Sequence, residues 1–210
     1  SVEIPDSIIS IGNEAFKGNF LTSIVIPNSV TSIGDEAFSG NYDLKSIQLG
    51  NSVESIGDYA FGCTDNEGTG SEHISIPDSV KTIGEGAFYA LYNLESIEIG
   101  SGLTSISDFA FAHSSGLKEV TIPSGIESIG YAAFHNTSLT EVFIPKSVKT
   151  ISEAAFNPSV NIIYETDVES TGSTSEADTQ GAQQQNDPVF DTSTGQWKSD
   201  GDDGANHHYD

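Results

Sequence analysis

The chain has no methionine and no arginine, and its 210 residues include one cysteine, one tryptophan and seven lysines against 31 acidic residues. Each shortage excludes something. At a formal net charge of −24 there is no basic stripe to neutralise phosphates, so DNA and RNA are excluded as partners. Docking on anionic lipid is disfavoured for the same reason. A single cysteine excludes an internal disulfide framework and a cysteine-built zinc cage. No apolar run approaches the ~20 residues that span a bilayer, so direct membrane insertion is not expected. The chain begins at Ser1 without methionine, which reads as a mature or excised piece.

What is present is a repeat. The pair Ala-Phe recurs with its ring at Phe16, Phe38, Phe61, Phe88, Phe111, Phe134 and Phe156, in steps of 22, 23, 27, 23, 23 and 22 residues. A proline keeps the same beat at Pro5, Pro27, Pro77, Pro123 and Pro145, with Gly50 and Gly100 in the other two copies. A third register is Ile11, Ile33, Ile56, Ile83, Ile106, Ile129 and Ile151. Three registers in seven copies specify a solenoid.

One coil is legible from Leu21 to Gly40. Ile24-Val25-Ile26 is a β-branched segment with period-two alternation, a short strand. Pro27 cannot donate to a ladder and ends it. Val30 and Ile33 point inward, with a second short strand at Thr31-Ser32-Ile33. Asp35-Glu36-Ala37-Phe38 reads as one helical or 3₁₀ turn with Asp35 at its positive end. A lone coil buries too little apolar area to offset its ordering entropy, whereas stacked coils place Phe over Phe at roughly the 4.8 Å strand spacing. Ser1-Val2-Glu3-Ile4 starts directly on a strand without a preceding cap, which implies chain upstream or a frayed first coil. Val160-Asn161-Ile162-Ile163-Tyr164 reads as a last strand closing the stack.

The run from Leu21 through Ile26-Pro27-Asn28-Ser29-Val30-Thr31-Ser32-Ile33-Gly34-Asp35-Glu36-Ala37-Phe38 resembles the BspA-like leucine-rich repeats, also described as the Treponema pallidum type. The resemblance covers about residues 1–165. It implies a leucine-rich-repeat solenoid of the α/β horseshoe class, β-rich, with seven coils of about 23 residues, a parallel sheet on the concave face and short helical or 3₁₀ turns elsewhere. It also implies a bacterial or protist surface protein, often an adhesin that binds host proteins or neighbouring cells. Two positions depart from the family pattern. The inward Asn of ordinary leucine-rich repeats is Ser29, Ser52, Ser79 and Ser147 or Gly102 and Gly125, so no Asn ladder is expected there. The Cys two residues after the Phe survives only as Cys63, with Gly18, Gly40, Ala90, His113, Asn136 and Pro158 at the equivalent places.

Outward positions on the concave strands decide what a solenoid can bind. Alternation assigns Ser23 and Val25, Ser46 and Gln48, His73 and Ser75, Ser96 and Glu98, Glu119 and Thr121, Glu141 and Phe143 to that face. Its C-terminal half is acidic, and Phe143 is a candidate aromatic anchor. The set suits a cationic segment of a protein partner; the plainer reading is that Ser, Thr and Glu solvate a sheet face.

The other candidates carry less. Asp65, Asn66 and Glu67, in the polar insertion Thr64–Ser71, fall short of the 6–8 oxygens calcium takes. Cys63, just past a core Phe, reads as an inert buried thiol. His73, His113 and His135 lie in different coils with no third ligand evident, so no metal or other cofactor is assigned. No Ser/His/Asp trio and no phosphate-binding glycine loop is assembled, and the chain does not read as an enzyme. The ladder Ser10, Ser32, Ser55, Thr82, Ser105, Ser128 and Thr150 is either a set of hydroxyls bonded to backbone or, more remotely, a water-ordering array. Asn136-Thr137-Ser138 fits the glycosylation triplet, a pattern common by chance.

After Glu165 the period stops. Residues 166–210 hold 10 acidic residues and one lysine, a net −9, which leaves −15 on residues 1–165. Ser, Thr, Gly, Gln and Asp dominate this low-complexity tail or linker, which buries too little to fold alone. A small hairpin is an option near 189–197. Asp200, Asp202 and Asp203 resemble a calcium loop only in part.

Together these features describe a non-enzymatic, monomeric binding module that engages a protein partner; the resemblance implies that it is extracellular or on the cell surface and adhesin-like, with host matrix or another surface protein as the partner. The alternative is a structural spacer displaying another domain.

Overall fold

A computed structural model describes residues 2–63 and 71–166, together with the backbone of two short strands at 189–191 and 196–198. The chain divides into two units, residues 1–167 and 168–210. The first holds fourteen strands in alternation: β1 (Ser10–Ile11), β2 (Ser23–Val25), β3 (Ser32–Ile33), β4 (Ser46–Gln48), β5 (Ser55–Ile56), β6 (His73–Ile76), β7 (Thr82–Ile83), β8 (Ser96–Ile99), β9 (Ser105–Ile106), β10 (Glu119–Thr121), β11 (Ser128–Ile129), β12 (Glu141–Ile144), β13 (Thr150–Ile151) and β14 (Asn161–Tyr164). The second holds β15 (Val189–Asp191) and β16 (Gln196–Lys198), an antiparallel pair in which Phe190 stands opposite Trp197. The calcium readings at 65–67 and at Asp200–Asp203, and the low-complexity stretch 167–188, lie outside the described residues.

Each coil contributes one two-residue strand and one longer strand, and all their ladders are parallel. The short strands form β1-β3-β5-β7 and β9-β11-β13, and the long ones form β2-β4, β6-β8-β10 and β12-β14. Registers are residue for residue across the whole period: Ile11 on Ile33 on Ile56 on Ile83, and Ile74 on Ile97 on Val120. Such stacking is forced by composition. A strand of two to four residues cannot stand alone, but the period-two side chains send at least one isoleucine or valine of each strand inward, where Ile24, Ile74, Ile97, Ile106 and Ile129 are buried. The leading segment, residues 2–4, is not a strand; the expected first strand is absent, and Val2 and Ile4 pack only partly on the core.

The seven phenylalanines form the spine. Ring centroids run 5.2, 5.2, 5.4, 5.5, 5.3 and 5.3 Å apart from Phe16 to Phe156, with planes within 17° of parallel. The spacing exceeds the ~4.8 Å between paired strands, as offset stacked rings require.

The turn that carries each ring differs from the helical or 3₁₀ turn expected at Asp35–Phe38: among the described residues none is helical. Two residues before every phenylalanine the backbone is left-handed, at Glu14, Glu36, Tyr59, Gly86, Phe109, Ala132 and Ala154, with φ between 50° and 57°. Two residues after it, Gly18, Gly40, Ala90, His113 and Asn136 are left-handed as well. The reason is hydrogen bonding. A helical turn would spend its N–H groups within the coil; here alternate ones turn sideways, so that Glu36 donates to Asp58, Phe38 to Ala60 and Gly40 to Gly62 in the next coil. The seam behaves as a third ladder, and six of the seven left-handed residues before the ring have a Cβ that disfavours this conformation by about 1–2 kcal/mol.

A side-chain ladder reinforces that edge. Asn13 Oδ1 accepts the Asp35 N–H (2.9 Å), Asp35 Oδ1 that of Asp58 (2.9 Å), Asp58 Oδ1 that of Glu85 (2.7 Å) and Asp108 Oδ1 that of Tyr131 (2.6 Å). The residue above each acceptor must be glycine. A Cβ on Gly130 would fall 2.6 Å from the Asp108 nitrogen and closer still to its Oδ1. Gly34, Gly57, Gly84 and Gly130 follow a coil with Asn or Asp at the acceptor position, whereas Ser107 and Ser152 follow Glu85 and Tyr131. Glycine therefore tracks the acceptor, coil by coil.

Candidate functional site

The long strands place the sequence-predicted residues on one surface. Ser23 pairs with Ser46 and Val25 with Gln48. His73, Ser96 and Glu119 align in one column, and Ser75, Glu98 and Thr121 in the next. Glu141 and Phe143 continue them on β12, which lies beside β10. Ser23 and Ser96 are half-buried and the other ten are exposed, Phe143 to 63%. Their inward neighbours Ile24, Ile47, Ile74, Ile97 and Val142 are buried; Val120 is half-buried. Alternation thus holds on the long strands from β2 to β12, and the core fixes the face from below.

Two residues of this surface escape the sequence-based list. Asn161 stands beside Glu141 and Ile163 beside Phe143 in the β12-β14 ladder. Applying the same alternation to Asn161-Ile162-Ile163-Tyr164 identifies both. The half-buried Ile163 extends the apolar spot begun by Phe143, while Tyr164, in register with the inward Ile144, is exposed on the other side of the strand.

Polarity changes along the face. From β2 to β6 it carries hydroxyls, one amide, the exposed Val25 and His73, whose Nδ1 lies 2.8 Å from Ser96 Oγ. From β8 to β12 it carries Glu98, Glu119 and Glu141. The lysines with described ion pairs meet other carboxylates: Lys118 meets Glu95 and Lys149 meets Glu127, both at 3.0 Å, and Lys17 meets Glu14 and Glu36. An open recess at the N-terminal end of the face is lined by Val2, Glu3, Asp6, Val25, Gln48 and Asn51 among others, with no histidine, cysteine or lysine.

The remaining candidates separate. Cys63 is buried among the core residues. His113 and His135 belong to an aromatic column on the turn side, in which Tyr59, Tyr89, His113 and His135 follow one another at 6.0, 5.1 and 6.4 Å. Among the described residues no three His, Cys, Asp or Glu side chains converge as a metal would require. The ladder Ser10-Ser32-Ser55-Thr82 and Ser105-Ser128-Thr150 lies in register with its side chains exposed or half-exposed. The hydroxyls that do reach backbone carbonyls here belong to neighbours, Thr31 to Ile9 (3.3 Å) and Ser107 to Ile83 (2.6 Å).

The inward polar column is also displaced from where ordinary leucine-rich repeats would put it. Three residues past the ring, buried Asn41 donates to the Phe16 and Phe38 carbonyls (2.8 Å each) and accepts the Leu21 N–H (3.2 Å). Ser114 and Thr137 occupy that position in later coils and donate to Phe88 and Phe134. At the Ser29 position only Ser79 is bonded, to the Val53 carbonyl at 2.7 Å; the buried hydroxyls of Ser29 and Ser147 have no partner.

Comparison with known proteins agrees with this geometry. A cell-surface leucine-rich protein from Faecalibacterium prausnitzii is 31% identical over 78% of this chain, with a TM-score of 0.57. A leucine-rich-repeat protein from Bacteroides ovatus is 28% identical over 77%, with a TM-score of 0.51. The alignments span 53% and 50% of those two chains, so this chain accounts for about half the length of each. No curated protein matches it. The profile described as the BspA type leucine rich repeat region matches residues 1–68 and 67–163, in six copies. With its parallel coils, its phenylalanine spine and that match over most of its length, the chain belongs to the BspA-type leucine-rich-repeat family.

Proposed function

We propose that the chain is a non-enzymatic, adhesin-like binding module of the cell surface or the extracellular space, and that it engages a protein partner through the strand face. The observation that carries this reading is the surface itself: twelve outward side chains on adjacent strands over a continuous core, ten of them in register within two ladders. Such a face is rigid before binding, so little ordering entropy is lost on association. The surface location is supported by the Faecalibacterium relative, which is a cell-surface protein.

The test is capture of partners from host matrix extracts on the immobilised folded chain. Arginine substitutions at Ser46, Ser75 and Thr121, all exposed positions, should abolish retention, while Glu153→Arg on the turn side should leave it unchanged. Absence of any retained partner, or equal retention by all variants, would remove the binding reading and leave that of a structural spacer.

A further inference from the structure

We propose that the C-terminal half of the strand face receives an extended, lysine- or arginine-bearing segment of a partner protein, with an apolar side chain of that segment seated against Phe143 and Ile163. This rests on the strand face being the binding surface and adds what it binds.

The argument starts from which carboxylates the fold uses. On the turn edge Asp35, Asp58 and Asp108 each accept a backbone N–H from the next coil, and Asp78 does the same for Ser101 at 2.7 Å. Glu95 and Glu127 are neutralised by Lys118 and Lys149. Glu98, Glu119 and Glu141 have neither kind of partner among the described residues. They occupy three consecutive long strands, β8, β10 and β12, and all are exposed. Glu119 and Glu141 fall in one column on adjacent strands, and Glu98, in the neighbouring column on β8, stands diagonal to Glu119, one strand spacing of about 4.8 Å across and two residues along. Like charges so placed repel, at a cost that the coil stack does not recover internally. A cationic partner would recover it, and would also be steered toward this half of the face by its field.

The apolar contact fixes position along the face. Phe143 is two residues from Glu141 on β12, and Ile163 stands in register beside it on β14. An exposed aromatic flanked by an aliphatic and bordered by charge is the composition of an interface anchor with a polar rim. The N-terminal half, with Ser23, Ser46 and Gln48, offers neither the charge nor, beyond Val25, an apolar side chain of that size. A segment crossing the strands from Glu98 toward Phe143 would set basic side chains over the glutamates and one ring or aliphatic group over Phe143.

The experiment is fluorescence polarisation with the whole folded chain and a short labelled peptide that alternates lysine and threonine around a central phenylalanine. Its glutamate-for-lysine counterpart serves as the comparison. Glu119→Gln with Glu141→Gln should weaken the basic peptide about tenfold, and Phe143→Ser should weaken it by a similar factor. Glu54→Gln with Glu153→Gln removes the same charge from exposed positions away from the long strands and should change affinity less than about twofold. Raising salt from about 0.05 M to 0.5 M should also weaken binding. The proposal is overturned if the basic peptide does not bind, if the acidic one binds equally, or if the remote pair matters as much as the face pair. A natural partner released by arginine at Ser46 and Ser75 but indifferent to Glu119→Gln with Glu141→Gln would keep the binding face and discard the basic occupant.

Discussion

Asp108 and Glu119 are both exposed carboxylates of neighbouring segments, yet the fold treats them differently. Asp108 is tied into the next coil through the Tyr131 N–H at 2.6 Å; Glu119 projects from β10 without a described partner. The same contrast runs the length of the solenoid. The turn edge uses its side chains to hold coil to coil, and the strand face is held from beneath by isoleucine and valine. Structural polar residues and available polar residues thus lie on different sides of one core. That distinction separates side chains whose loss should cost stability from those whose loss should cost only binding.

The sharpest way to break the comparison is to remove what both sides share. Phe88 is fully buried between Phe61 and Phe111, at 5.4 and 5.5 Å. Phe88→Ala should cost about 3–5 kcal/mol, read from chemical denaturation, and should weaken turn edge and strand face together because every coil contacts only its neighbours. A loss under about 1 kcal/mol would mean that the rings are not the spine.

Next in size is the glycine rule of the turn edge. Gly130→Ala should cost about 1–3 kcal/mol, since its Cβ meets both the side chain and the backbone nitrogen of Asp108. In an Asp108→Ala background the penalty should shrink by at least about 0.5 kcal/mol, the signature of coupled neighbours. Equal penalties in the two backgrounds would contradict the account of why glycine follows Asn or Asp. A direct contrast comes third. Asp108→Ala should cost about 1 kcal/mol for its lost hydrogen bond, whereas Glu119→Ala should stay within about 0.5 kcal/mol of the parent. Thermal melts of the two variants side by side suffice, and similar losses would erase the distinction between the edges.

How much of this is legible in the sequence depends on which physical rule writes each residue. Burial writes the phenylalanine and isoleucine registers, so the stack and the outward strand residues follow from spacing alone. The glycine rule is legible too, once Asn13 and Gly34 or Asp108 and Gly130 are compared across coils, although a reading of single coils takes Asp35 for a helix start. The left-handed residues before each ring are hidden, because Glu36, Tyr59, Phe109 and Ala132 carry no mark of positive φ; only inter-coil hydrogen bonding demands it. Asn41 is hidden for a related reason. Its three bonds reach the Phe16, Leu21 and Phe38 backbones, and later coils fill its place with Ser114, Thr137 or an apolar Leu91. For the strand face, alternation identifies which residues point outward but leaves the choice of occupant to their chemistry.

The smallest effect tests the turn edge at a single hydroxyl. Tyr59 is left-handed and its ring covers Gly86, where a Cβ would fall 2.7 Å from Cδ1. Its hydroxyl donates to Glu85 Oε1 at 3.0 Å. Burial, and then the bond to that carboxylate, pushes its pKa from 10.0 up to about 12. The neutral phenol is therefore favoured in the folded chain. Between pH 10 and about 12 the unfolded chain has released this proton while the folded one retains it, so stability falls with rising pH across that window and is fully present below it. Tyr59→Phe should flatten the decline in denaturation midpoint between those limits while changing stability at neutral pH only slightly. The absorbance of tyrosinate should at the same time lose its latest-ionising component. Superimposable alkaline titrations of the two proteins would show that the Tyr59–Glu85 bond does not persist in solution, and that the outer aromatic column is held by ring packing against Tyr89 rather than by the carboxylate beneath it.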